Sequence, residues 1–215
     1  MDYKVQVERA LKYKDSSYIT PRRWSSYAVQ VREVMFLKPE RILEIGPGNH
    51  IVNNILKGMG YDVETIDVDS RINPDQIGSI TDEAVIARLK DRFDLTLACQ
   101  IFEHLEYGDF LKAADSLKTV TPTMVMSLPY TEINSKFFQF VLKIPGIKKI
   151  SFSSKIIHKP IEHQFNGEHY WEIGKKGYPL SRVKNDLESL GWKIAKDFLN
   201  PDNPFHYFFV LSHEK

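Results

Sequence analysis

The strongest constraint on the fold of this chain is an apolar run at residues 42–45 that stops at a glycine-rich turn. The run is short and rich in isoleucine and leucine, which is typical of a buried strand. After the turn at residues 46–48, apolar side chains recur at helical spacing over residues 51–59. A strand, a glycine turn and a helix in this order predict the first half of a βαβ unit.

The alternation of strands and helices continues along most of the chain. Strands are expected at residues 63–66, 93–98 and 123–128, and helices at residues 81–89 and 109–117. Because parallel strands need a crossover between them, this alternation predicts a mostly parallel sheet with helices on both faces. After a further helix at residues 183–190, two strands joined by a short link predict an antiparallel pair at the sheet edge.

We therefore predict a single domain of the α/β class, with a Rossmann-like sheet and an antiparallel C-terminal edge strand. Within the single domain 1–215, two N-terminal helices are expected at residues 1–38 and a ligand-binding core at residues 40–129. A lid insertion after the fifth strand is expected at residues 130–179, and a C-terminal helix and hairpin at residues 180–215. The insertion follows the carboxyl end of a strand, where ligands bind in open α/β sheets.

The composition excludes several classes of protein. Hydrophobic residues make up 42% of the chain, which is enough for a packed core and excludes global disorder. The formal net charge of +1 gives no general attraction for nucleic acid. The single cysteine, Cys99, excludes a disulfide framework and a cysteine-based zinc cluster. We find neither a secretory signal nor an apolar run long enough to span a bilayer, and expect a cytoplasmic location.

The acids around the glycine turn indicate the class of ligand. Asp67 follows the second strand about 20 residues beyond Gly48, the spacing at which a carboxylate binds both ribose hydroxyls; it is preferred to Asp69 because it ends the strand. Glu44 lies beside the turn, where a carboxylate repels a pyrophosphate and attracts a cation. A dinucleotide site also requires a third glycine where this chain has Ile51. These residue types favour S-adenosylmethionine, which carries an ammonium and a sulfonium instead of phosphates.

Three segments resemble motifs of the class I S-adenosylmethionine-dependent methyltransferases. RILEIGPGN at residues 41–49 is similar to motif I, and TIDVDS at residues 65–70 resembles the acidic motif after the second strand. FDLTLACQIFEHL at residues 93–105 is similar to the fourth-strand segment. The order and distances of the three motifs make the resemblance specific.

The resemblance implies which residues hold the cofactor. Gly46 and Gly48 would lie under it, and Glu44 would lie near its methionine ammonium. Asp67 would bind the ribose, and Gln100 would line the methionine side of the pocket. The family therefore implies a site built on the ends of the first, second and fourth strands.

Two positions depart from the family pattern. Members commonly have an acid after the third strand that accepts a hydrogen bond from the adenine amine, and Ser79 stands at that place. His50 stands where many members have a third glycine. Since a hydroxyl accepts without the charge assistance of a carboxylate, Ser79 favours the alternative of a catalytically inactive partner or regulatory module that binds the cofactor.

The insertion carries an unusual pattern of charge. Its charged residues from 135 to 159 are lysines alone, interleaved with aromatic and aliphatic residues: Lys136, Lys143, Lys148, Lys149, Lys155 and Lys159. One interpretation is a lid helix with a buried apolar side and solvated lysines. The other is a lid that recognises an anionic or lipid-like acceptor or touches an anionic membrane surface. Single-stranded nucleic acid comes last, because the whole chain is close to neutral.

The loop after the lid holds the candidate catalytic residues. His163 and His169 are candidates for the base that removes a proton from an acceptor hydroxyl or amine, and Glu168 for the group that orients one of them. An equal alternative is that these side chains fasten the lid by hydrogen bonds. Glu103 and His104 suit packing or capping as well as catalysis. No cluster of oxygen ligands stands out, so no metal site is expected.

The predicted activity is methyl transfer from S-adenosylmethionine to a small, lipid-like or anionic acceptor. The sulfonium is already an activated leaving group, so the protein needs mainly to align the acceptor and exclude water. This accounts for a chain without an evident nucleophile, since Cys99 shares a buried strand parity and is predicted to be an inert core thiol. A dinucleotide-dependent oxidoreductase is the weaker alternative.

Overall fold

The computed structural model describes residues 13, 15–142, 144, 146, 150–165 and 167–214. Its helices are α1 (Pro21–Leu37), α2 (Ile51–Gly58), α3 (Glu83–Leu89), α4 (Tyr107–Leu117) and α5 (Leu180–Ser189). Its strands are β1 (Arg41–Ile45), β2 (Asp62–Asp67), β3 (Gln76–Ile77), β4 (Leu95–Cys99), β5 (Thr123–Pro129), β6 (Ser135–Leu142), β7 (Ile150–Ile157), β8 (Lys193–Leu199) and β9 (His206–Ser212). Short 3-10 helices lie at Ser16–Tyr18, Ser70–Ile72 and Phe102–His104. The first of the two predicted N-terminal helices falls outside the described residues.

Seven of the strands form one sheet, in the order β3-β2-β1-β4-β5-β9-β8. Strands β1 to β5 run parallel, and β9 runs antiparallel to both β5 and β8. The predicted α/β fold and its antiparallel pair at the C-terminal edge are confirmed, with β8 as the outermost strand.

The two faces of the sheet bury separate clusters of apolar side chains. Successive residues of a strand point to opposite faces, so Ile42 and Leu43 of β1 enter different clusters. Ile42 packs with Val34 of α1 and Leu56 of α2, and Leu43 belongs to the cluster that contains Phe110 of α4. Burial on both faces explains why the parallel strands appear in the sequence as continuous apolar runs.

Side-chain caps mark the starts of α1 and α3. The side-chain oxygen of Thr20 accepts a hydrogen bond from the main-chain nitrogen of Arg23 at 3.1 Å, and Pro21 stands in the first helical turn of α1. The Asp82 side chain caps α3 by accepting from the main-chain nitrogen of Ala84 at 2.8 Å.

The order of the strands places a crevice beside β1. From β1 the chain moves outward to β2 and β3, then crosses back to β4 and continues to β5 on the other side. The carboxyl ends of β1 and β4 therefore meet at a switch point, which is where open α/β sheets bind their ligands.

The insertion after β5 is a β-hairpin, so the predicted lid helix is wrong. Strands β6 and β7 pair antiparallel along their whole length, from Ser135 opposite Ile157 to Leu142 opposite Ile150. The segment is rich in phenylalanine, valine and isoleucine, which favour strands, and its sequence is interrupted by a proline and a glycine at residues 145–146. Strand propensity and turn residues therefore outweigh the helical spacing.

The base of the hairpin is fastened to the body, and its outer part is exposed. Phe137 and Ile157 pack against the large core cluster, whereas Phe140 and Phe152 are 59% and 64% exposed. The ammonium of Lys155 donates to the main-chain oxygens of Tyr130 and Pro204 at 2.7 Å each, and burial lowers its pKa to about 8. Lys155 is thus a fastening residue and not a solvated one, while Lys136 and Lys159 are exposed. Lys143, Lys148 and Lys149 lie outside the described residues.

Among the residues described, none of the helices is both long enough and apolar enough to cross a membrane.

Candidate cofactor and acceptor site

A cavity of about 550 Å³ lies at the carboxyl ends of β1, β2 and β4. This volume is in the range of sites for small molecules. Its wall includes every residue predicted to bind the cofactor: Glu44, Gly46, Gly48, Asp67, Ser79 and Gln100. The wall also contains residues 103–105 after β4 and residues 168–169 after the hairpin.

The glycine turn forms the floor of this cavity. Gly46 and Gly48 have φ angles of +67° and +55°, in the left-handed region that favours glycine. A Cβ on Gly46 would overlap the side chain of Ile101 and lie 3.8 Å from Oδ2 of Asp67. A side chain here would therefore fill the space between three strand ends.

Glu44 is a buried carboxylate beside the turn. Its Oε2 accepts a hydrogen bond from Nδ2 of Asn53 at 2.8 Å. Burial raises the pKa of Glu44 to about 7, and the hydrogen bond from Asn53 and the charge of Lys57 offset this only in part. A cation in the cavity would stabilise the ionised carboxylate, which is what the methionine ammonium of S-adenosylmethionine offers.

The structure explains the histidine at the third glycine position. His50 has a φ of +59°, so it adopts the left-handed conformation that a glycine would take there. Its Nε2 lies 2.6 Å from the main-chain oxygen of Ile72, and its Nδ1 lies 3.1 Å from Nδ2 of Asn53. His50 therefore donates from Nε2 and accepts at Nδ1, and it ties the start of α2 to the loop after β2.

Of the two acids after β2, Asp67 faces the glycine turn and Asp69 is engaged elsewhere. Asp69 forms an ion pair with Arg71, at 2.8 Å between Oδ1 and Nε, and caps the following 3-10 helix. Oδ1 of Asp67 accepts from the main-chain nitrogen of Asp69 at 2.8 Å, and burial raises the pKa of the Asp67 carboxyl. Asp67 stays the predicted ribose acceptor.

Ser79 follows β3 and Gln100 follows β4, two strands that β2 and β1 separate in the sheet. Oγ of Ser79 lies 2.7 Å from Oγ1 of Thr81, so the hydroxyl is part of a local turn. Nε2 of Gln100 donates to Oγ of Ser127 at 3.3 Å. Their roles at the adenine and the methionine of the cofactor stay predictions.

Cys99 also lines the cavity wall, at the end of β4. Burial raises the pKa of its thiol above the ordinary value, and the nearby charges of Glu44 and Glu103 act in the same direction. A thiol held neutral in this way is a poor nucleophile.

At the other end of the cavity, the structure separates the three residues predicted to be catalytic. His169 and Glu168 lie in the cavity wall. His163 lies behind them, with its Nε2 2.7 Å from the main-chain oxygen of His169, so it holds the backbone of that residue. The carboxylate that orients His169 is Glu172, at 3.1 Å from Nδ1, and not Glu168. A catalytic role for any of the three stays a prediction.

Glu103 and His104, for which packing or capping and catalysis were equally open, also lie in the cavity wall. They lie in the 3-10 helix after β4, and the rings of His104 and His169 meet edge to face with centroids 5.2 Å apart. The main-chain nitrogen of Tyr170 donates to the main-chain oxygen of Glu103 at 2.8 Å, which joins the two segments. The Glu-His-Leu end of the fourth-strand motif was the available signal.

Comparison with known proteins gives relatives of one kind. No protein-family model matches the chain. The chain is 27% identical over 182 residues to the ubiquinone biosynthesis O-methyltransferase of Azorhizobium caulinodans, a match that covers 77% of this chain and 70% of that protein.

Two solved structures illustrate the similarity of fold. The methyltransferase domain of bacterial CtHen1 is 14% identical with a TM-score of 0.58, over 89% of this chain and 99% of that chain. The 1,6-didemethyltoxoflavin-N1-methyltransferase of Burkholderia thailandensis, with bound S-adenosylhomocysteine, is 10% identical with a TM-score of 0.57, over 96% and 82%. The strand order, the three motifs and the curated relative together support a class I S-adenosylmethionine-dependent methyltransferase.

Proposed function

We propose that the chain transfers a methyl group from S-adenosylmethionine to a hydroxyl oxygen of a small, lipid-like or anionic acceptor. The curated relative and the solved structures support the methyltransferase class and its cofactor, and the acceptor is the proposal. The observation that carries it is one cavity whose wall contains both sets of residues. We call the six predicted cofactor residues the cofactor end of this cavity, and Glu103, His104 and His169 its acceptor end.

The residues at the cofactor end fit S-adenosylmethionine. The floor at Gly46 is clear of any Cβ, and buried Glu44 has its charge only partly compensated. Glu44 would bind the ammonium and Asp67 the ribose hydroxyls, which fixes the cofactor along the strand ends. When bound, S-adenosylmethionine supplies an activated methyl group on its sulfonium.

The acceptor end fits an acceptor molecule with a polar head. Two imidazoles and two carboxylates line this part of the wall, so a hydroxyl would find partners for hydrogen bonds. Arg23, which lies over the ring of Tyr18, adds positive charge to the wall, whereas the charge of Arg22 is compensated by Glu132 at 2.6 Å. Arg23 supports an anionic acceptor, and the name of the Azorhizobium relative supports oxygen as the methylated atom.

For the hairpin of β6 and β7, we propose contact with an anionic membrane surface that supplies or holds the acceptor. Its exposed residues are large and apolar, and the sequence from residue 135 to residue 159 contains lysines and no acidic residue. Apolar side chains that enter the headgroup region, together with lysines, match the chemistry of a surface rich in anionic lipids.

The first prediction concerns the ribose. Asp67→Ala should weaken S-adenosylmethionine binding at least tenfold, about 1.4 kcal/mol, because the ribose hydroxyls lose their acceptor. Isothermal titration calorimetry measures this directly. Asp62→Ala is the matched control, since Asp62 is exposed at the opposite end of the same strand and should leave the affinity unchanged. Equal affinities for wild type and Asp67→Ala would remove the ribose assignment.

The second prediction is a pH dependence of cofactor affinity. Below a pKa of about 7, the Glu44 carboxyl takes up a proton and loses its attraction for the ammonium. From about pH 7.5 to about pH 6, the affinity should fall several-fold, and at most about tenfold per pH unit. Glu44→Gln should bind weakly throughout and without this slope. A wild-type slope that persists in Glu44→Gln would assign it to another group.

The third prediction tests the reaction. Release of S-adenosylhomocysteine is measured with a panel of phenols and hydroxy acids, including phenols with an aliphatic tail. At least one hydroxylated acceptor should be turned over, and its methoxy analogue should be inert because it has no hydroxyl. Turnover of amines alone would contradict oxygen methylation. Saturable cofactor binding without any turnover would favour the alternative of an inactive cofactor-binding partner.

The fourth prediction tests the hairpin. The variant with Phe140→Ser and Phe152→Ser, which stand opposite each other, should bind phosphatidylglycerol-containing vesicles about tenfold more weakly than wild type. Ile77→Ser is the control, since Ile77 is 60% exposed on another surface. Co-sedimentation measures both. Undiminished binding, equal binding to uncharged phosphatidylcholine vesicles, or preferential binding of single-stranded nucleic acid would contradict the membrane proposal.

A further inference from the structure

Three side chains that can bind a metal converge at the acceptor end of the cavity. Glu103 and His104 come from the 3-10 helix after β4, and His169 comes from the loop after the hairpin. One carboxylate oxygen of Glu103 and one ring nitrogen from each histidine all lie within 4.8 Å of one another. Two imidazoles and one carboxylate on one side of an open space are a known ligand set for divalent transition metals.

The hydrogen bonds around the two histidines place them in the form that a metal requires. Nδ1 of His104 lies 2.8 Å from the main-chain oxygen of Glu168, and Nδ1 of His169 lies 3.1 Å from Oε1 of Glu172. A carbonyl and a carboxylate only accept, so each Nδ1 carries a proton, and in the neutral ring Nε2 is the nitrogen left to bind a metal. Metal-ligating histidines are oriented in this way by a carbonyl or carboxylate behind them.

The charges at this end also suit a cation. The Glu103 side chain is fully buried, and Oε1 of Glu172 lies directly behind His169, 3.1 Å from its Nδ1. Glu168 adds a third carboxylate to the same end of the chain's cavity. Buried carboxylates are stabilised when they pair with a cation or bind a metal.

We propose that Glu103, His104 and His169 bind one divalent transition-metal ion, and that the acceptor hydroxyl occupies an open position on it. The second part rests on the proposed function. The mixed nitrogen and oxygen ligands favour zinc, manganese, cobalt or iron over calcium and magnesium, which take oxygen ligands. Three protein ligands leave room for a hydroxyl, whose proton the bound ion makes easier to lose to solvent.

Metal binding alone tests the site, without cofactor or acceptor. The full chain, free of any affinity tag and stripped with EDTA, is titrated with Co²⁺ by visible absorption and with Zn²⁺ by calorimetry. One ion should bind per chain. His169→Asn and Glu103→Gln should each weaken binding at least tenfold, and Glu172→Gln about tenfold, because Glu172 orients His169 without touching the ion.

His158→Ala is the matched control, since His158 is an exposed histidine at the end of the hairpin. It should bind the metal as wild type does. Circular dichroism in EDTA checks folding; if Glu103→Gln fails to fold, His169→Asn and Glu172→Gln decide the question. A chain that binds no ion, or whose His169→Asn variant binds as tightly as wild type, overturns the metal site.

The failure of the metal site and the failure of the proposed function are separable. Wild-type turnover that survives removal of all metal, with cofactor binding intact, overturns the role of the ion and leaves the methyltransferase activity. Metal binding that depends on His169 supports the site, even if the acceptor panel is turned over at nitrogen.

Discussion

The close approach of the main chain at Gly46 to Ile101 and Asp67 is the constraint on which the cavity depends. Gly46 follows β1, Asp67 ends β2 and Ile101 lies after β4, so this contact brings the ends of three strands together. A Cβ at this position would overlap the Ile101 side chain, which would have to move, and the left-handed φ of Gly46 adds a second reason for glycine. The parallel sheet sets the positions of the strand ends, and the glycine leaves space between them for a ligand.

The cofactor end and the acceptor end of the cavity differ in how the charges of their carboxylates are compensated. At the cofactor end, burial raises the pKa of both Glu44 and Asp67, so each carboxylate is ionised at a cost until a ligand compensates it. At the acceptor end, Glu172 is already paired with His169. The cofactor end therefore suits a cationic nucleoside. The acceptor end, with its imidazoles and carboxylates, suits a metal ion and a hydroxyl.

The sequence was sufficient to predict the fold, and the six residues that it assigns to the cofactor all line one cavity, because both predictions depend on local patterns. The strand at residues 42–45, the turn after it and the acid at Asp67 each follow from neighbouring residues. The hairpin was missed because its apolar residues satisfy helical spacing by chance, while their strand propensity and the glycine at residue 146 decide the outcome. The cluster of His104 with His169 was missed for another reason: contacts over 60 residues of chain are set by packing, which no local pattern reports.

The hydrogen bonds of Lys155 determine how easily the hairpin can tilt relative to the body of the protein. Its ammonium holds main-chain oxygens of Tyr130, at the end of β5, and of Pro204, between cavity-lining residues. Tilting the hairpin would break two charge-assisted hydrogen bonds at once, so these bonds oppose a hinged movement. Each strand has eight residues and spans roughly 25 Å, so a surface in contact with the far end of the strands would lie at about that distance from the base of the hairpin.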